Sequence, residues 1–222
     1  MTAAWAAVAD AIHLGPGMRV LDIGCGDGGF CALAAARCAE VSGIDADPAA
    51  VAQARRRVPS ADLRVGFMEA LPWLDDGFDA VVGFNALQYA LDIDLALLEA
   101  MRVLRPGGRV AVCKWGRPQD NELFAVAMAM GVGRREALRA EDPVEAAIHR
   151  AGLTVCDRGC VPVLLDVPDL AALAEATGLS DEAGLKEHAA AFRQSDGSYR
   201  FAAGLAYVVA ADRHPSVTAS RT

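Results

Sequence analysis

Four glycines, Gly24, Gly26, Gly28 and Gly29, follow the hydrophobic run Val20-Leu21-Asp22-Ile23 and precede a helical pattern opening near Phe30. Strand, glycine-rich turn and helix, in that order, build a nucleotide site in an open α/β sheet. Gly24 and Gly26 let the backbone turn sharply and approach a ligand, because no Cβ stands in the way. The helix start aims free N–H groups and a positive dipole end into the same space. Gly24, Gly26 and Gly29 have the G-x-G-x-x-G spacing of dinucleotide loops. The stretch also reads acid-x-G-x-G-x-G through Asp22, Gly24, Gly26 and Gly28. The bland alternative is a glycine turn with no ligand. Asp45 stands 21 positions after Gly24, the spacing at which an acid ending the second strand takes ribose hydroxyls. One carboxylate can accept both hydroxyls, each charge-assisted bond contributing about 1.5–3 kcal/mol. The alternative for Asp45 is a turn cap.

Asp22 separates the two glycine patterns. A carboxylate at the end of a central parallel strand is costly to bury without a partner. It would repel the pyrophosphate of NAD and suit the sulfonium and ammonium of S-adenosylmethionine (SAM). Together with the later run LLEAMRVLRPGGRVAV, the loop resembles the class I, Rossmann-like SAM methyltransferases, in particular the type 11 group acting on small molecules. The resemblance covers Met18–Trp115 and thins from Gly116. It implies SAM as cofactor, with the Cys25 backbone in the loop touching ligand, Ala46 beside the adenine and Asn85 on the methionine part. Gln88 and Tyr89 would face the acceptor, with a packed aromatic as the alternative for Tyr89. After the third strand the family has Gly-Asp-Ala-Glu-x-Leu-Pro, its Asp receiving the adenine amino group. Here the segment is GFMEALP, and Phe67 occupies the Asp position. That leaves the Met68 backbone N–H and Glu69 as polar contacts. Phe67 either closes the pocket by stacking or is ordinary core.

The elements that must hold these residues alternate between strand and helix. A helix over Ala3–Leu14 ends at Gly15-Pro16-Gly17. In the resembled family such a helix covers the SAM pocket, so Trp5 and His13 could face substrate. Otherwise Trp5 packs and His13 is a solvated helix end. Strands are expected at Val41–Ile44, Leu63–Phe67, Phe78–Phe84, Arg109–Trp115 and Tyr199–Ala210, with Leu153–Val155 and Cys160–Leu165 as sixth-strand pieces. Helices are expected at Phe30–Cys38, from Asp47-Pro48 to Arg57, at Asp92–Leu104, at Glu122–Met130, and from Asp142-Pro143 to Gly152. Two more fall at Pro168–Thr177 and Asp181–Phe192, and His214–Thr222 reads as a loose tail. The fold class is α/β, a doubly wound, mostly parallel, Rossmann-like sheet. It has seven strands, the last antiparallel and closing the sheet, and a small helical cap. One SAM-binding domain over 1–222 is expected, with cap elements at about 1–14, 116–140 and 168–192, the latter two forming a roof over the acceptor.

A length of 222 residues with 54% hydrophobic content suits one domain with a large core. A net charge of −8 argues against nucleic acid as partner. The six cysteines form no C-x-x-C pair, so no zinc or dithiol site is suggested, and scattered thiols suit a reducing cytosol. The N-terminus lacks the basic region of a secretion signal, and no apolar stretch reaches membrane-spanning length. A cytoplasmic protein acting on a small molecule is expected, with no membrane partner. No residue stands out as a general base, and neither the acceptor atom nor the oligomeric state is legible. The rivals are an NAD-dependent oxidoreductase and a non-catalytic SAM-binding module.

Overall fold

The apolar run ahead of the glycines forms β1 (Arg19–Ile23), buried from Val20 onward. It pairs in parallel with β2 (Glu40–Asp45) on one side and with β4 (Phe78–Phe84) on the other. A parallel strand is covered on both faces and must be apolar almost throughout, which Phe78-Asp79-Ala80-Val81-Val82-Gly83-Phe84 satisfies. Beyond β2 lies the short β3 (Asp62–Val65), and beyond β4 lies β5 (Leu104–Trp115), both in parallel register. With β6 (Leu153–Val167) and β7 (Tyr199–Asp212), the sheet order is β3-β2-β1-β4-β5-β7-β6. The seven-stranded sheet is mostly parallel with one antiparallel strand. The computed structural model describes residues 1–131 and 142–212.

The chain leaves β1 for β2 and β3, then returns to the other side of β1 for β4 and β5. The direction of winding reverses between β1 and β4, and the carboxyl ends of strands at such a point are where open α/β sheets bind ligands. The helices are α1 (Thr2–Ala11), α2 (Gly29–Ala36), α3 (Pro48–Arg57) and α4 (Ile93–Val103). They continue as α5 (Glu122–Ala129), α6 (Pro143–Arg150), α7 (Leu170–Thr177) and α8 (Glu182–His188). Aspartates at the predicted starts do cap: Asp47 accepts from the Ala49 N–H, Asp92 from Asp94 and Leu95, and Asp142 from Val144 and Glu145. Pro48 and Pro143 stand at the first helical position, where a missing N–H costs nothing.

Three expectations change. The fifth strand begins at Leu104, ahead of the expected start at Arg109: Leu104 pairs with Phe78, and the register shifts before Arg109 meets Ala80. The two sixth-strand pieces are one strand running through Gly159 and Pro162. That strand ends the sheet, and β7 lies between β5 and β6. An outer strand tolerates a proline, because one edge needs no ladder N–H.

Among the described residues the chain divides into a larger unit, 1–114, 142–159 and 207–212, and a smaller one, 115–131 and 160–206. The larger core joins Leu21, Ile23, Val81, Leu97, Val103 and Ile148. The smaller has its own core around Leu173, Leu185, Tyr199 and Phe201. The expected cap over 116–140 lies outside the described residues from 132 onward, as does the tail His214–Thr222.

Candidate cofactor site

The glycine turn is pinned to the end of β2. The Gly24 and Cys25 N–H groups both donate to the Ile44 carbonyl, at 2.8 and 3.0 Å. The Gly26 N–H donates to Asp45 Oδ2 at 2.8 Å, and Asp45 Oδ1 accepts from the Asp47 N–H at 2.9 Å. Asp45 thus ties the turn to the helix that follows it. A carboxylate has about four lone-pair sites, so each oxygen retains capacity for a hydroxyl donor. Gly24 has a φ of +73°, and a Cβ there would lie 2.3 Å from the Ala86 Cβ. Gly28, at +81°, is the left-handed cap from which α2 starts. Both positions need glycine.

A cavity of about 280 Å³ opens where β1, β2 and β4 end. Its wall brings together Gly24, Asp45, Ala46, Phe67, Met68, Glu69, Asn85 and Tyr89 of the predicted site residues. It adds Ile44, Gly66, Ala86, Ala90 and Leu91, which were not among the predicted site residues. Ala86 had a readable signal only in hindsight, since a small residue must face Gly24. Phe67 follows the end of β3 and is 59% exposed, so it is not core. The 66–74 segment is held from α4: the Leu71 N–H donates to Glu99 Oε2, and Arg102 donates to the Leu71 and Trp73 carbonyls. Arg102 in turn holds the Glu99 carboxyl below its usual range. Glu69 Oε1 accepts from the Leu91 N–H at 2.6 Å, fixing the opposite rim.

Five predicted residues stand off this wall, and Gly26 reaches it only through Asp45. Cys25 is buried under the turn. Gln88 is exposed on a short 3₁₀ turn, Leu87–Tyr89. Trp5 packs on α2, where a Cβ on Gly29 would come within 2.2 Å of its ring. His13, exposed with a φ of 60°, lines a separate groove with Asp10, Arg109 and Tyr207. Asp22 lies beneath the turn, 2% exposed, with Oδ2 accepting from the Cys31 thiol at 3.5 Å and Oδ1 without a partner. Burial, only partly offset by the Cys31 thiol and reinforced by the charge of Asp45, pushes its carboxyl up to about 8. The Cys31 thiol is pushed far up, first by its hydrogen bond with Cys25 and then by burial, and stays a donor. A larger groove, of about 720 Å³, lies at the amino ends of the strands near Arg19, Glu40, Asp62 and Phe78, away from the glycine turn.

Among the described residues, the charged groups on the cavity wall are Asp45 and Glu69, and neither lysine, arginine nor histidine lines it. An acid-walled cavity suits a cationic nucleoside and opposes a pyrophosphate. These residues fit SAM.

Comparison with known proteins agrees. The type 11 methyltransferase-domain family model matches residues 21–112. Malonyl-[acyl-carrier protein] O-methyltransferase of Methylococcus capsulatus is 36% identical over 149 residues, 64% of this chain and 54% of that protein. The YcgJ protein of Bacillus subtilis superposes with a TM-score of 0.68 at 20% identity, covering 97% of this chain and 100% of its own. A SAM-dependent methyltransferase of Aquifex aeolicus has a TM-score of 0.55 at 15% identity, covering 91% and 88%. The first curated relatives are matched over only 34–40% of their own length. Residues 21–112 carry a methyltransferase domain of the class I, Rossmann-like, SAM-dependent kind. Its cofactor is SAM.

Proposed function

We propose that the protein transfers the methyl group of SAM to a small-molecule acceptor by in-line displacement, with 1–222 acting as one methyltransferase domain in the cytoplasm. The observation that carries this reading is the single cavity gathering Gly24, Asp45, Met68 and Asn85 at the switch point of the sheet. When bound, SAM supplies a methyl on sulfonium: the acceptor's lone pair forms the new bond to carbon as the carbon–sulfur bond breaks, leaving S-adenosylhomocysteine. The chain contributes alignment and exclusion of water. Asp45 takes the ribose hydroxyls. Gly24 and Ala86 admit the nucleoside by leaving space, and Asn85 holds the methionine part. Tyr89, on the cavity wall, faces the acceptor. With no histidine among the described residues of the wall, the acceptor we propose is one that needs no strong base, such as an amine, a phenolate or an activated carbon.

A wall with no basic side chain among the described residues and a net charge of −8 disfavour nucleic acid as acceptor. No helix among the described residues is long and apolar enough to cross a membrane. The test is incubation with SAM and a panel of amines, phenols and carbon acids, read by mass spectrometry for methylated product and S-adenosylhomocysteine together. The expected result is stoichiometric formation of both with at least one acceptor class. SAM binding without turnover of any acceptor would instead favour a non-catalytic SAM-binding module.

A further inference from the structure

We infer that the groove beside the end of α1 binds an α-amino acid head group, its carboxylate on Arg109 and its ammonium on Asp157. The groove, of about 560 Å³, shares no residue with the cofactor cavity, and the inference does not depend on the SAM reading. Its polar wall is Asp10, His13, Arg109, Asp157 and Tyr207. Arg109 is half-buried, and its Nη1 donates to the Ala11 carbonyl at 3.1 Å, closing the last turn of α1. A guanidinium has five N–H donors, and no carboxylate among the described residues pairs with the rest. Asp157 Oδ1 accepts from the Arg158 N–H at 2.8 Å, and no cation among the described residues pairs with this carboxylate. Asp10 is already paired, with Arg37 at 2.6 Å. The groove therefore carries one cation and one anion that are paired neither elsewhere nor with each other.

Tyr207 adds a hydroxyl. Its ring lies against Gly159, where a Cβ would come within 2.6 Å of it, so the glycine seats the phenol. Burial, and then the charge of Asp157, push the phenol up, and it stays a donor. His13 has a φ of 60° just past the end of α1. Glycine fits such a helix end with less strain; the histidine instead brings an imidazole to the groove wall. A simple anion would meet Asp157 as well as Arg109, and a simple cation would meet Arg109 as well as Asp157. A zwitterion answers both charges. An arginine fork matches a carboxylate through two parallel bonds, and the Tyr207 hydroxyl can donate to the same group. Ala7, Ala11 and Cys156 leave a less polar stretch of wall for a small side chain.

The test is calorimetry with L-leucine and its two halves: 4-methylpentanoate, which lacks the ammonium, and 3-methylbutylamine, which lacks the carboxylate. The wild-type protein should bind leucine at least about tenfold more tightly than either half, the worth of one charge-assisted contact. In Arg109→Gln the preference for leucine over the amine should fall below about threefold, and in Asp157→Asn so should its preference over the carboxylate. Binding of leucine no tighter than of either half would make the groove a site for a single charge and overturn the inference. So would the absence of heat from leucine at millimolar concentration. Leucine affinity unchanged in both variants would put the ligand elsewhere and overturn it too. Arg109→Gln also loses the bond to Ala11; if it does not fold, Asp157→Asn, at an exposed position, and the wild-type ratios decide.

Discussion

At the end of β1, Asp22 holds a proton that water would ordinarily take from it. Its carboxyl is buried, one oxygen has no partner, and its pKa is pushed up to about 8 from an ordinary value of 3.8. Between about pH 4 and pH 8 the folded, ligand-free chain keeps this proton while the unfolded chain has released it. Asp22 therefore makes stability fall as pH rises through that window, and contributes no further slope above about pH 8. The carboxyls of Asp62 and Glu99, held low chiefly by Arg64 and Arg102, act with the opposite sign at more acid pH. Asp22→Asn should flatten the decline in Tm between pH 5 and pH 8, and an unchanged slope would assign it to another group. Asp45 makes a second prediction. Asp45→Ala should weaken SAM binding by about 2–3 kcal/mol if both ribose hydroxyls rest on it. Titration calorimetry with an unchanged Kd would leave Asp45 only the turn-fixing bonds to Gly26 and Asp47. The place of Asp45 on the cavity wall was legible from its type and its spacing from Gly24. The partnership of Asp22 with Cys31 was not, since a cysteine in the first turn of a helix reads as packing. Nor was the placement of His13, since helical periodicity does not say which end of the sheet a helix terminus reaches.

The strand–turn–helix unit around Gly24 is the element most completely specified by sequence. A methyl added at Gly24 would need about 2.3 Å of space already taken by Ala86, and the φ of +73° disfavours any side chain. Gly24→Ala should lower Tm and weaken SAM binding by at least about tenfold, the cost of a strained backbone being about 1–3 kcal/mol. Wild-type affinity in that variant would show that the turn relaxes without losing the ligand. Helix starts were equally readable, because Asp47-Pro48 and Asp142-Pro143 satisfy the cap locally. Strand limits were less so. Whether Leu104 continues a helix or begins β5 depends on Phe78 beside it, and that neighbour is distant in sequence. The continuity of β6 through Gly159 depends in the same way on pairing that local pattern does not contain.

Over the whole molecule, the seven-stranded order and the position of the cavity follow from alternating strands and helices with a glycine turn after the first strand. The smaller unit is where the sequence said least. Its core of Leu173, Leu185, Tyr199 and Phe201 carries hydrophobic patterning but no motif. The acid balance of the chain recurs at the cavity wall, where Asp45 and Glu69 stand with no cation beside them among the described residues. That wall is the basis for choosing a sulfonium nucleoside over a dinucleotide. Isothermal titration with SAM, S-adenosylhomocysteine and NAD tests the choice most directly. The structure predicts saturable binding of SAM and S-adenosylhomocysteine at one site and no heat from NAD; tight NAD binding with no SAM signal would contradict it.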